Sequence, residues 1–413
     1  MQAARSSKAI TTLTVREELA ALQVAVRAML ADLPGLAGSR PVDIMNAVSI
    51  DLKLAWKLAR IAQSGDPFAT VRHLPGAAGW RIATAAIAAA GARAEVIAAA
   101  STAFDRAIAT GTAWAGDRKA FDIMAAGVAA GSDLRIDVEH RRELYRGGSY
   151  VWGVRAQLAV RADILGPARK KRMLDCVTMR GFVGVERMRS DAAWQIEAPF
   201  VVDDRGTKPV RAGIEPLEES TRTTRGAGAA GPHLLTDFCS GALPEMRAVA
   251  EKGSPRRLEL ADSAVGAEGR FTVFHGSVLR DVQPVQRSQQ HHGIFQLWKH
   301  RTPAERAVFD LAVHRSAIED DSAAEAILYS DLNLRAGTFL HRSKDRIPAG
   351  LAVENLGVKL RRARLDGFDQ HVDLLMLGFT RMGWDPADFV LFRTDAPYPP
   401  IPSTLVLELP LKD

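Results

Sequence analysis

Between Val15 and Leu33 the apolar residues Leu19, Leu22, Val26, Met29 and Leu30 return at three- and four-residue steps, so they fall on one stripe of a helix. Pro34 and Gly35 end that pattern. The same spacing, in segments dominated by alanine, leucine, arginine and glutamate, predicts helices over 41–48, 51–63, 77–90, 94–109, 117–130 and 134–165. Gly65, Asp66 and Pro67 stop the 51–63 helix, and Gly147 and Gly148 are points where the last one can break. Up to about residue 167 the chain reads as all-α.

After Gly166 and Pro167 the pattern shortens to runs of β-branched and aromatic residues divided by glycine, proline and aspartate. These runs predict strands over 173–179, 194–202, 271–279, 295–300, 328–334, 389–393 and 405–409. A helix is expected over 368–382, from the spacing of Val372, Leu375, Met376 and Phe379. The segment 302–314 carries two signals. Thr302, Pro303 and Glu305 form a helix-start signature, whereas Phe309, Leu311 and Val313 alternate with Asp310 and His314 in a strand period. The expected fold class is thus an α-helical N-terminal domain, 1–167, followed by an α+β C-terminal domain, 168–413. Within the latter, 203–231 is rich in Gly, Thr, Arg and Glu and poor in large apolar residues, and is expected to be a mobile loop.

Composition narrows the functional classes only modestly. The 47% hydrophobic and 25% charged residues exclude wholesale disorder and a collagen-like chain. Two cysteines, Cys176 and Cys239, form no disulfide framework, and with no secretory leader pattern at the start they suggest a cytoplasmic protein. The most apolar stretch, 82–92, is far shorter than the roughly 20 residues of a bilayer span, so no membrane association is expected. A formal charge of +6 permits a polyanionic partner without requiring one.

Residues 39–62 read SRPVDIMNAVSIDLKLAWKLARIA: a short helix, a tight connection and a second helix bearing basic residues. This segment resembles the helix-turn-helix of bacterial transcriptional regulators, in which five apolar positions lock two helices so that the second enters the major groove. Ile44, Val48, Ile50, Ala55 and Leu58 stand at those positions, and Asp51 stands where the second helix would be capped. The resemblance implies that Lys53, Trp56, Lys57 and Arg60 face double-stranded DNA and that the protein is a homodimer. Two positions depart from the family pattern: Ser49 replaces the usual glycine of the turn, and Met45 replaces a small residue of the first helix. Ordinary packing of two consecutive amphipathic helices would give much of the same pattern.

Other chemistry-bearing residues form weaker patterns. Basic clusters stand at Arg169, Lys170, Lys171 and Arg172, and at Lys359, Arg361, Arg362 and Arg364 on an expected helix; either could neutralise phosphates or simply form a solvated face. Gly226, Gly228 and Gly231 spell GxGxxG, but polar residues 220–225 precede them where a dinucleotide site needs a buried strand. His291 and His292, with His300 nearby, form the densest histidine group, though neighbours on a strand point to opposite faces and no metal-ligand spacing occurs. Cys176 lies in an apolar strand as a structural residue. Asp331, Asp366, Asp369, Asp373, Asp385 and Asp388 give no assignable acid–base pair, and Asp385 fits a turn before the 389 strand. Trp384, Phe389, Phe392 and Tyr398 are expected in the core. No catalytic residue, metal or cofactor is assigned. The expected function is DNA binding in transcriptional regulation, with the C-terminal domain sensing a ligand or mediating self-association. The alternatives are an enzyme of unassigned class, with its site in the α+β domain around His291, His292 and neighbouring carboxylates, and a structural or assembly protein without catalysis.

Overall fold

A computed structural model describes residues 10–129, 138–197, 201–202, 209–210, 213–218, 232–249, 257–261, 264–286, 293–318, 324–332 and 343–411. The chain forms two compact units, Met1–Leu134 and Arg135–Asp413. The first is helical and the second α+β, as the residue pattern predicts.

In the first unit α1 (Thr12–Ala31), α2 (Pro41–Val48), α3 (Leu52–Gln63), α4 (Ala77–Ala89), α5 (Ala94–Ala115) and α6 (Arg118–Val128) surround one core. The α1 stripe is buried as expected, and Trp80 of α4 stacks on Phe104 of α5 with ring centroids 4.3 Å apart. Close approach of α5 and α6 depends on Gly111, because a Cβ there would stand 2.3 Å from the ring of the fully buried Phe121. This core is self-contained, so a fragment ending at residue 134 is expected to melt cooperatively with helical circular dichroism. A non-cooperative melt would show that the helices need the rest of the chain.

The division falls upstream of the expected boundary at 167. Helix α7 (Val138–Trp152) buries Arg141, Tyr145 and Ser149 against the strands of the second unit. There the Arg141 guanidinium donates to the Pro397 carbonyl at 2.9 Å. The helix expected over 134–165 then ends at Trp152, and β1 (Val154–Pro167) follows. This strand is covered on both faces, so its sequence lacks the polar–apolar alternation that marks a half-exposed strand.

The second unit is built on a seven-stranded sheet. In order it holds Val353–Gly357, β7 (Phe389–Pro397), β5 (Ala304–His314), β1, β2 (Met173–Arg187), β3 (Phe271–Pro284) and Ile214–Pro216. Segment 302–314 is therefore the strand of the two options. Strands β1 and β5 pair in parallel, Ala156 opposite Ala304 through Leu165 opposite Val313, while the other pairings are antiparallel. A second sheet, in the order β4 (Gly293–His300), β8 (Ser403–Pro410), β6 (Glu325–Ser330) and Arg346–Ile347, shares one apolar core with the large sheet. Helix α8 (His371–Met382) buries Leu374, Leu375 and Phe379 in a second core with Val160, Ile164, Val177 and Met179 of the large sheet. A small third sheet joins Gln195–Glu197, Arg257–Leu260 and Met246–Val249.

On the expected mobile stretch 203–231, residues 209–210 pair with 201–202 and Ile214–Pro216 adds to the edge of β3. Most of the rest, including the GxGxxG glycines, lies outside the described residues, as do His291 and His292.

Candidate nucleic-acid interface

The 39–62 segment forms two helices with the bounds its sequence suggests. Asp43 closes the start of α2, its carboxylate accepting the Arg40 backbone N–H at 3.2 Å. The helix ends at Ser49, whose φ of 54° and ψ of 46° put it in the left-handed region. A glycine reaches that region without steric cost; here serine reaches it, so the departure in residue type leaves the turn conformation intact. Asp51 caps α3, its Oδ1 accepting the Leu54 N–H at 2.9 Å.

The five apolar positions Ile44, Val48, Ile50, Ala55 and Leu58 are all buried, none more than 7% exposed. They join Val15, Leu19 and Leu22 of α1 and Phe68 and Val71 of the following turn in the core of the first unit. Met45 is half-buried and packs against this core, which accommodates its bulk.

With Leu54, Ala55, Leu58, Ala59 and Ile61 turned inward, α3 presents Lys53, Trp56, Lys57 and Arg60 on its other face. Their spacing of three, one and three residues keeps them on one stripe. Lys53 and Arg60 are exposed, Lys57 is partly so, and Trp56 leaves 40% of its surface open. The Arg60 guanidinium lies over the Trp56 ring, 5.2 Å from its centroid.

A 3-10 turn, Phe68–His73, adds two residues that the helical period of α3 does not reach. The His73 ring meets Trp56 edge-on with centroids 4.8 Å apart, and its Nε2 accepts from Arg72 Nε at 3.2 Å. Burial, followed by the charges of Arg72, Arg60 and Lys57, pushes the His73 pKa down to about 4, so the ring is neutral at physiological pH. Among the described residues no carboxylate forms an ion pair with Lys53, Lys57, Arg60 or Arg72. The result is an exposed basic surface set around a partly exposed indole.

The other basic clusters have different settings. Arg169, Lys170, Lys171 and Arg172 lie exposed at the turn between β1 and β2, where Arg172 has a φ of 66°. Lys359 to Arg364 flank a single 3-10 turn, Leu360–Ala363, rather than the expected helix.

In the second unit a cleft of about 550 Å³ is lined by Gln157, Glu305, Arg306, Asp366, Asp395 and Tyr398, among others. Tyr398 is accordingly half-buried at this cleft instead of in the core, while Phe389 and Phe392 are buried as expected. Much of the cleft's charge is already paired: Arg306 grips Asp395 at 2.6 Å, and the Tyr145 hydroxyl donates to Glu305 at 3.2 Å. Asp385 closes the turn before β7, its carboxylate accepting the Ala387 N–H at 2.9 Å.

Several other polar groups of this unit are buried. His300 is 3% exposed, and burial holds its pKa down at about 3. Burial likewise pushes the Cys176 thiol up, which suits a structural cysteine. Asp163, Thr178 and Ser277 are direct cross-strand neighbours on β1, β2 and β3, and Arg161 pairs with Asp163 while its guanidinium sits 4.7 Å from the centre of the Phe309 ring. On the opposite face of the sheet Asp310 holds Arg393 and His371, the three contributed by β5, β7 and α8. Among the described residues no group of three or more His, Cys, Asp or Glu is placed to hold a metal ion, and no helix is long and apolar enough to cross a membrane.

Comparison with family models, with curated proteins and with solved structures gives no match to this chain.

Proposed function

We propose that the protein binds double-stranded DNA through α3 and acts in transcriptional regulation as a homodimer, with the α+β unit sensing a ligand or mediating self-association. The observation that carries this reading is the basic stripe Lys53, Trp56, Lys57 and Arg60, exposed on a helix reached through a left-handed turn residue and locked by five buried apolar positions. Among the described residues these cations pair with no carboxylate, which leaves them available to phosphate. Lysine and arginine there can release counterions from the phosphate backbone, and side chains near the start of α3 can reach base edges. A dimer would double the number of half-sites read. The competing enzymatic reading draws on the cleft at Glu305, Asp366 and Tyr398, whose convergent polar groups could hold a small molecule.

Selection of bound fragments from genomic DNA, followed by titration of the enriched duplex over a salt series, tests the proposal. Affinity is expected to fall steeply with salt, and Lys53→Ala and Lys57→Ala should each reduce it without moving the melting temperature. Where one of them touches a base edge, its loss should cost about 1 to 3 kcal/mol and relax discrimination at one position. No sequence enrichment, with weak binding unaltered in the double variant, would remove the DNA-binding reading.

A further inference from the structure

The 3-10 turn after α3 lies outside the stretch that resembles a helix-turn-helix, yet it carries a basic residue fixed against the exposed stripe. Arg72 is exposed, while His73, next to it, is only 8% exposed. An arginine free on a turn would sample many rotamers. This one is restrained, because its Nε donates to His73 Nε2 at 3.2 Å. The acceptor is itself fixed, since the same imidazole packs edge-on against Trp56, whose indole in turn lies under the Arg60 guanidinium. The chain of contacts Arg72–His73–Trp56–Arg60 thus ties a side chain of the turn to the outward face of α3.

Two features suit this arrangement to phosphate. Only a neutral imidazole with an unprotonated Nε2 can accept from Arg72, and a protonated one would repel it. The Nε hydrogen bond also leaves the two terminal nitrogens of the guanidinium to donate outward, the geometry that grips two phosphate oxygens.

We propose that Arg72 is an additional phosphate-binding residue flanking α3 and that His73 is its positioning residue, holding the guanidinium beside Lys57 and Arg60 for the backbone of a DNA duplex. The inference rests on the DNA-binding reading above and adds to it a contact that carries no sequence information, since backbone contacts set register and orientation while base edges are read from the helix.

The test uses the full chain and a set of duplexes of different sequence, titrated by fluorescence anisotropy across a potassium chloride series. Arg72→Ala is expected to weaken binding to every duplex by the same factor, about eightfold at 0.1 M salt, and to reduce the log–log salt slope by about 0.9, the loss of one phosphate contact. His73→Phe keeps an aromatic edge against Trp56 but removes the acceptor. It should reproduce most of the Arg72→Ala loss, and the double variant should bind no more weakly than Arg72→Ala alone. Melting temperatures measured in parallel separate this outcome from simple damage to the fold, which would leave the dependence of His73→Phe on Arg72 unexplained.

An unchanged salt slope in Arg72→Ala overturns the phosphate contact. Additive losses in the double variant overturn the positioning role of His73. Should Lys53→Ala/Lys57→Ala weaken binding while Arg72→Ala does not, α3 remains the DNA-facing element and only this inference falls; absence of duplex binding by the wild-type chain overturns both.

Discussion

Replacing Asp310 by alanine should destabilise the second unit by about 3 to 5 kcal/mol, the range for breaking a buried ion pair so that one charge loses its partner. Asp310 is fully buried and accepts from Arg393 at 2.7 and 2.6 Å and from His371 at 2.7 Å. Arg393 completes its bonding with the carbonyls of Ala363 and Arg364, so the cluster ties β5, β7, α8 and the turn before it into one structure. Burial by itself would raise the Asp310 pKa, but the hydrogen bonds and charges of Arg393 and His371 outweigh it and hold the carboxyl below its ordinary value. A carboxyl depressed in the folded state contributes stability that is present above its unfolded pKa and lost as pH falls through the folded one. Acid titration of stability should therefore be shallower in Asp310→Ala than in the wild type across that window. Thermal melts of the full chain, compared with those of the fragment ending at 134 to identify the first unit's transition, measure the effect; a loss under about 1 kcal/mol would contradict it.

Phe121→Ala should cost the first unit about 3 to 5 kcal/mol, the usual penalty for emptying a large buried site. Its ring fills the space that Gly111 leaves on α5 and meets Trp114 edge-on. Gly111→Ala, which drives a methyl group into that ring, should cost about 1 to 3 kcal/mol by overpacking. Because the two changes alter the same volume in opposite directions, Gly111→Ala/Phe121→Ala should be more stable than the sum of its parts by at least about 0.5 kcal/mol. Denaturant midpoints of the four proteins complete the cycle. Strict additivity would show that α5 and α6 do not press together at this point.

The helical unit was the more legible part of the chain because each helix there covers the core with one stripe. The spacing of Leu19, Leu22, Val26, Met29 and Leu30 consequently reports burial directly. The five apolar positions of α2 and α3 are legible for the same reason, whereas the conformation of Ser49 is not: its residue type argues against a left-handed turn that the surrounding packing imposes. Residues Arg72 and His73 escape a periodic reading because they lie on a turn, and only the packing of His73 on Trp56, with Arg72 bonded to His73, places them at the stripe. In the second unit burial on both faces hides the strand period of β1, and the alanines at 156, 159 and 162 imitate a helix. The cluster of Asp310, His371 and Arg393 is illegible for a different reason. Its members come from three separate elements, and no local pattern marks a charge that will be buried.

The parallel pairing of β1 with β5 has a consequence for synthesis. The helical unit leaves the ribosome before either strand and has its whole core within its own segment. By contrast, β1 meets β2 across a short turn but must wait for Ala304 to His314 before its other edge is covered. Pairings this distant in sequence are slow to form, and an uncovered strand edge invites association between nascent chains. Arg155, Arg161 and Asp163 lie along β1, and charge on a waiting edge opposes such association. Those charged side chains are expected to limit such association during the interval before β5 is made.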